Sequence, residues 1–225
     1  MVIGNGLLAK NFSKYRDNPS IIFFVSGVSN SSENRVAEFD REKDLLNSIA
    51  KKYSVKTLVY FSTCALYDNY FLPNAYLKHK IEVENWIKKN VLKFYIFRVP
   101  QIIGSKNESQ LLGFINSKIK TGKKFDLFDI ERNLIDLNYI VKVVEYIITN
   151  NIFKNQCLNI SYPENIRVTK IVSIFENIHN KKANFDIKKI NGFFKIENKK
   201  LMHIYGNLDL ILPDYYESKL ELYYG

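Results

Sequence analysis

Tyr76 and Lys80 stand four residues apart in the run Tyr76-Leu77-Lys78-His79-Lys80, a spacing that puts both side chains on one face of a helix. An ammonium beside a phenol favours the ionised phenol, and such a pair is suited to moving a proton at a hydroxyl or carbonyl oxygen. A second feature opens the chain. Gly4-Asn5-Gly6-Leu7-Leu8-Ala9 follows an apolar stub and starts a helical pattern, so it reads as a G-x-G-x-x-A turn, where small residues let backbone amides approach a pyrophosphate at a helix N-terminus. Two glycines in a purely structural turn would look the same, so this motif takes its weight from the segments downstream of it.

The elements that must position these residues are short apolar strands alternating with helical patterns, the signature of a parallel sheet covered on both faces. Residues 21–25, 57–62 and 94–99 are continuous apolar runs of the kind that parallel strands need. Between them, Val36, Phe39, Leu45, Leu46 and Ile49 mark one helical face and Ile81, Val83, Trp86 and Ile87 another. A helix near 140–148, a strand at 157–160 and a helix near 169–178 continue the alternation. From about Lys181 the pattern becomes irregular. The expected architecture is a Rossmann-like, doubly wound α/β domain over residues 1–180, followed by a small cap or oligomer-contact segment over 181–225.

Composition narrows the function classes. With 225 residues, 46% of them hydrophobic and 25% charged, the chain is globular and long enough for a sizeable core. No apolar stretch reaches the roughly 18 residues of a membrane span, and the start runs straight into the glycine turn, so a cytoplasmic protein with no membrane partner is expected. Cys64 and Cys157 lie far apart without ligand spacing, which suggests neither a disulfide framework nor a metal. The net charge of +10 is spread along the whole chain. It suits a diphosphate-bearing ligand, while no nucleic-acid motif is present.

Further segments, in order, give the sequence its resemblance to the extended short-chain dehydrogenase/reductases. Ser26-Gly27-Val28 ends a buried strand where that family has small residues beneath its cofactor, and Phe61-Ser62-Thr63-Cys64-Ala65-Leu66-Tyr67 is similar to its S-[ST]-x-x-[VL]-Y strand end. Tyr76 and Lys80 then supply Y-x-x-x-K. Arg98-Val99-Pro100-Gln101-Ile102-Ile103-Gly104 resembles R-P-x-N-V-Y-G, and Arg132-Asn133-Leu134-Ile135-Asp136 resembles R-D-[FY]-[IV]-H. The likeness extends from Gly4 to about Ile178. It implies NAD or NADP held by Gly4, Asn5, Gly6, Leu7, Leu8, Ser26, Gly27 and Val28 together with Tyr76 and Lys80. It also implies catalysis by Thr63, Tyr76 and Lys80, with Thr63 bonding the same oxygen as the tyrosine. The substrate implied is a nucleotide sugar touched by Thr63, by Gln101 and, at its phosphates, by Arg132, whose guanidinium can fork onto phosphate oxygens.

The sequence also departs from that family. Only Lys10 to Ser20 separates the glycine turn from the next strand, too little for the usual second and third strands, which are expected to be missing. The acidic ribose reader about 20 residues beyond the glycines has no counterpart, since Phe23 and Phe24 occupy that distance. The first strand is short and leaves an unpaired edge unless a partner subunit or the C-terminal tail covers it. Joining it directly to the strand at Ile21 strains the right-handed crossover rule, and the interval from Thr63 to Tyr76 implies a trimmed lid. Family members that dehydrate their sugar carry Asp and Glu after the threonine; here Cys64 and Ala65 stand there, which argues against a 4,6-dehydratase. The expectation is an NAD(P)-dependent reductase or epimerase of a nucleotide-activated deoxysugar, as in surface-polysaccharide assembly. A relative that binds a nucleotide sugar or a partner enzyme without redox chemistry, or an isomerase that needs no cofactor, would carry the same motifs.

Overall fold

The computed structural model describes residues 1–54, 56–104, 108 and 110–225. In chain order the elements are β1 (Val2–Ile3), α1 (Leu7–Asn11), β2 (Ile21–Phe24), α2 (Val36–Lys52), β3 (Thr57–Thr63), α3 (Ala75–Asn90), β4 (Phe94–Val99), β5 (Gln101–Ile102), α4 (Leu111–Thr121), β6 (Phe125–Phe128) and β7 (Glu131–Arg132). They continue with β8 (Leu134–Ile135), α5 (Leu137–Thr149), β9 (Gln156–Asn159), β10 (Ile166–Arg167), α6 (Val168–His179), β11 (Phe185–Lys188), α7 (Met202–Asn207) and α8 (Tyr215–Tyr224). Two compact units result. The first comprises residues 1–66, 72–99 and 141–160, the second residues 67–71, 100–140 and 161–225.

The first unit is built on a parallel sheet of order β1-β2-β3-β4-β9. Its inner strands are the apolar runs read from the sequence, and they are buried because helices cover the faces of a sheet of this kind. β1 pairs directly with β2, Val2 opposite Phe23 and Ile3 opposite Phe24, so the expected loss of two strands between them is real. It also leaves β1 at the end of the sheet order. Ile22, Phe24, Leu46, Leu58, Tyr60, Val83, Ile87, Phe94 and Ile96 form one core cluster. Phe12, Tyr15, Phe23, Phe61, Phe97 and Tyr95 form a second, a chain of aromatic contacts with centroid separations of 4.5–5.9 Å between neighbours.

Two details of helix orientation differ from the periodicity. Val36 is exposed at the first residue of α2, and the buried face of that helix runs through Phe39, Glu42 and Leu46. Ile81 is exposed on α3, whose buried face is Tyr76, His79, Lys80, Val83, Glu84 and Ile87. Apolar periodicity misses both because polar side chains occupy buried positions, which is tolerable only where each finds a partner.

Among the described residues the second unit holds three small two-stranded pairings: β5 with β8 in parallel, β6 with β11 in parallel, and β7 with β10 antiparallel. The segment after Lys181 supplies β11, α7 and α8, so it is more regular than its sequence pattern indicates. Its helices are fastened by aromatics rather than by an aliphatic stripe. Tyr215 stacks on Tyr162 at 3.9 Å, and Tyr139 meets Tyr162, Tyr205 and Tyr215 edge-on.

Candidate active site

The glycine turn is tight at one glycine and open at the other. Gly4 has φ +131°, and a Cβ there would lie 2.6 Å from the Val25 carbonyl oxygen, so only glycine lets the chain leave β1 this close to β2. A Cβ on Gly6 would meet nothing within 4 Å. The turn therefore presents an unobstructed backbone at the start of α1, with Asn5 and Leu7 exposed and Leu8 half-buried.

α3 begins where Asn74 caps it, its Oδ1 accepting the Leu77 N–H at 3.0 Å. That start places Tyr76 and Lys80 in the first turns, against the end of β3. The Thr63 hydroxyl stands near enough to the Tyr76 phenol to lower its pKa, and Tyr76 packs with Val28, Phe39 and Leu77. The first unit thus gathers Thr63, Tyr76, Lys80 and the Ser26-Gly27-Val28 strand end. Gln101 and Arg132 belong to the second unit.

Lys80 stands with its ammonium over the Tyr76 ring but gives its hydrogen bonds elsewhere. Its ammonium donates to Glu42 Oε1 at 3.1 Å and to the Tyr60 hydroxyl at 2.9 Å, and Tyr60 in turn donates to Glu42 Oε1 at 2.6 Å. Glu42 Oε2 accepts the Val28 backbone N–H at 2.6 Å and pairs with His79 Nε2 at 2.9 Å. The imidazole of His79 stacks on Phe39 with centroids 4.6 Å apart. Gly27 makes room for this cluster, since a Cβ there would fall 2.7 Å from Glu42 Oε1 and 3.0 Å from Lys80 Nζ.

The electrostatics follow from these contacts. Burial alone would push the Glu42 carboxyl up, but the bonds from His79, Tyr60 and Val28 and the Lys80 charge outweigh it and hold it down at about 2. Burial draws Lys80 below the usual ammonium value, opposed by Glu42. For Tyr76 the expected sign is reversed: burial first, and then the Glu42 charge, push the phenol up to about 12 against the lowering effect of the nearby Thr63 hydroxyl. Lys80 Nζ stands 5.8 Å from the Tyr76 ring centroid while its charge is taken up at hydrogen-bond distance by Glu42.

A second buried pair lies further along α3, where Arg98 donates from Nε and Nη2 to the two Glu84 oxygens at 2.8 and 2.6 Å. Cys64, beside Thr63, is fully buried and its thiol is pushed up by that burial. In the second unit Arg132 Nη1 donates to the Glu131 carbonyl at 2.9 Å and pairs with Asp68 at 3.3 Å. Its guanidinium stands 5.9 Å from the ring centroids of Tyr70, Phe71 and Phe194. Residues 67–71 are held there by the Asp68–Phe194 bridge and by the close approach of Gly192 to Tyr70. Gln101 sits half-buried on β5, opposite Leu134 of β8.

The sequence motifs do not include Glu42 or Tyr60. A signal for each exists: Glu42 lies on the helical stripe between Phe39 and Leu46, and Tyr60 is the polar-tipped residue in the middle of a buried strand. A charge on an apolar stripe and a hydroxyl in a core both demand a partner. Among the described residues no group of His, Cys, Asp and Glu side chains could hold a metal ion, and no helix is long and apolar enough to cross a membrane.

No protein-family model matches the chain, and no curated protein matches it in sequence. Solved structures do match in three dimensions. The UDP-glucuronic acid 4-epimerase of Bacillus cereus, in complex with UDP-glucuronic acid and NAD, superposes with a TM-score of 0.71 at 16% identity, over 98% of this chain and 77% of that one. The NAD complex of dTDP-glucose 4,6-dehydratase from Bacillus anthracis str. Ames gives 0.71 at 16% identity over 98% and 76%. The NAD complex of UDP-glucose 4-epimerase from Thermus thermophilus gives 0.68 at 12% over 96% and 81%. At these identities the likeness is one of fold, and it is the fold of the nucleotide-sugar epimerases and dehydratases that the sequence motifs resemble.

Proposed function

We propose that this chain is an NAD(P)-dependent enzyme that reduces a keto group on a nucleotide-linked sugar, with Tyr76 as the proton donor. The observation that carries this reading is the placement of the buried Tyr76 phenol at the strand end, beside Thr63, Val28 and the Lys80 ammonium, where it is protonated at neutral pH. Reduction needs a donor in that state, because the carbonyl oxygen must gain a proton as its carbon gains hydride. Cys64 and Ala65 supply no carboxylate for a dehydration step.

The residues present fit a dinucleotide. Gly4, Asn5, Gly6, Leu7 and Leu8 form a turn whose second glycine faces open space, as close approach of a pyrophosphate requires. Ser26, Gly27 and Val28 close the neighbouring strand end beside Tyr76 and Lys80. Phe23 and Phe24, at the distance of the usual ribose reader, are buried in β2, so the hold on the cofactor rests on the turn and the strand end. When bound, the reduced cofactor supplies the hydride. Thr63 and Tyr76 orient the sugar carbonyl through its oxygen, and the Tyr76 O–H bond breaks as the product O–H bond forms. The tyrosine regains its proton from solvent. Complexes of the structural neighbours with NAD, and with NADPH in one Pseudomonas aeruginosa structure, support the cofactor. A role in surface-polysaccharide assembly in the cytoplasm accords with this substrate class.

Purified protein mixed with NADH or NADPH and a 4-keto nucleotide sugar is expected to consume the nicotinamide absorbance, and Tyr76→Phe to stop it. Absence of turnover together with no calorimetric binding of either dinucleotide at millimolar concentration would refute the reading. A second reading, in which the chain binds a nucleotide sugar without redox chemistry, is favoured by one observation: Glu42 engages the lysine that would otherwise face the cofactor. It predicts nucleotide-sugar binding with no dinucleotide binding.

A further inference from the structure

We propose that this chain holds its nicotinamide cofactor by the nicotinamide mononucleotide half alone, so that NADH, NADPH and reduced nicotinamide mononucleotide bind almost equally. This names the part of the cofactor that the site of the reductive reading recognises, and it rests on that reading.

A doubly wound sheet that binds a dinucleotide is built from two mononucleotide-binding halves, each of three parallel strands joined by two helices. The strand that leads into the glycine turn opens the half that takes the adenosine. Its two companion strands lie on its far side, and the acidic residue that reads the adenosine ribose follows from that side. In this chain β1 leads into the glycine turn, yet it is the end strand of the order β1-β2-β3-β4-β9. Among the described residues, which include all of 1–54, its ladder is with β2, and the interval from α1 to β2 holds only a 3₁₀ turn at Ser13–Tyr15. The other half is whole. β2, β3 and β4 run parallel and are joined by α2 and α3, and they bring Ser26-Gly27-Val28 and Thr63 to the same end as Tyr76 and Lys80.

The path of α1 is a second, independent observation. Phe12, directly after α1, stacks on Phe23 at 4.5 Å and stands 5.5 Å from Phe61. Side chains alternate along a strand, so this is the face opposite to Ile22, Phe24, Leu58, Tyr60 and Ile96, which pack with Leu46 of α2 and Val83 and Ile87 of α3. The connections through α1 and α2 step across the sheet in the same direction but on opposite faces, so they have opposite hands. α3 shares the face of α2, which leaves α1 as the departure from the right-handed rule. That face is the one α1 would cover if it led from β1 to a strand on the far side. The glycine turn thus keeps the place it has in a complete sheet, with Gly4 against the Val25 carbonyl, while the strands that would face the adenosine are missing. Asn5, Gly6 and Leu7 are exposed, and a Cβ on Gly6 would meet nothing within 4 Å, so the turn opens onto free space.

NADH and NADPH differ only by a phosphate on the adenosine ribose. A site distinguishes two ligands through groups that meet the difference between them, and this sheet brings none there.

The test is calorimetry on the whole chain with NADH, NADPH, reduced nicotinamide mononucleotide and AMP as separate probes. It is run in about 0.15 M salt, where the net charge of +10 is screened beyond about 8 Å. The three nicotinamide compounds are expected to bind with dissociation constants within about threefold of one another, and AMP is expected to give no saturable heat at millimolar concentration. The proposal is overturned by a dinucleotide that binds more than about tenfold tighter than the mononucleotide, by a gap of that size between NADH and NADPH, or by saturable binding of AMP. Absence of binding by all three nicotinamide compounds overturns it together with the cofactor part of the reductive reading. A dinucleotide bound much more tightly that still reduces a keto sugar removes this inference and leaves the reading. Equal binding without turnover does the reverse.

Discussion

Glu42 and Lys80, 38 residues apart in the chain, meet at 3.1 Å with side chains 0% and 3% exposed. Two charges removed from water to this degree are tolerable only when each is neutralised and hydrogen-bonded, and Tyr60, His79 and the Val28 amide complete that requirement. The pair ties α2 to α3 behind the strand end that packs against Tyr76.

Removing one member strands the other. Glu42→Ala is expected to lower unfolding free energy by about 3–5 kcal/mol, read from urea denaturation. The double change Glu42→Leu with Lys80→Met is expected to recover part of that loss. A single-variant loss below about 1 kcal/mol, the range of exposed pairs, would show the pair to be of no structural consequence.

Acid stability should carry the signature of the same carboxylate. Its value falls from 4.5 to about 2 on folding, so the stabilisation it brings is fully present above the unfolded value and is lost as pH falls through the folded one. The amount at stake is about 3 kcal/mol. Urea midpoints should therefore drop between pH 5 and pH 2, and Glu42→Gln should flatten that part of the profile.

The two glycines of the first turn are expected to behave differently. Gly4→Ala forces a side chain into positive φ and into the Val25 carbonyl, at a cost of about 1–3 kcal/mol from the backbone conformation alone. Gly6→Ala meets nothing and should change stability by less than about 1 kcal/mol. On the proposed function it should nonetheless weaken dinucleotide binding, measured by calorimetry.

Tyr76→Phe retains the packing against Val28 and Phe39 and removes the donated proton. Turnover should fall by about 10²–10⁴-fold, while the dinucleotide dissociation constant stays within about twofold. A parallel loss of both would mean that Tyr76 holds the cofactor rather than acting on the substrate.

Arg132 offers a test in the second unit. Its guanidinium is paired with Asp68, which competes with any phosphate for the same donors. Asp68→Asn is expected to tighten the binding of uridine diphosphate, and Arg132→Lys to weaken it through loss of the planar fork. No change in either would remove Arg132 from the ligand site.

Much of this protein was determined locally. The apolar runs of β2, β3 and β4 and the helical stripes between them specify a parallel sheet, because a strand buried on both faces must be apolar throughout. The short interval from Lys10 to Ser20 left no length for two more strands, and β1 does pair directly with β2. The order and spacing of Thr63, Tyr76 and Lys80 were likewise legible, since one strand end and one helical turn suffice to bring them together. Only the tertiary structure decided where the Lys80 charge goes. Its counter-ion lies on another helix, and the bridging hydroxyl of Tyr60 sits inside a strand that reads as core. A side chain's charge and hydroxyl are visible in sequence, but how deeply a phenol is buried and which charges lie within a few ångströms are decided in space, and burial above all set the direction in which Tyr76 is held.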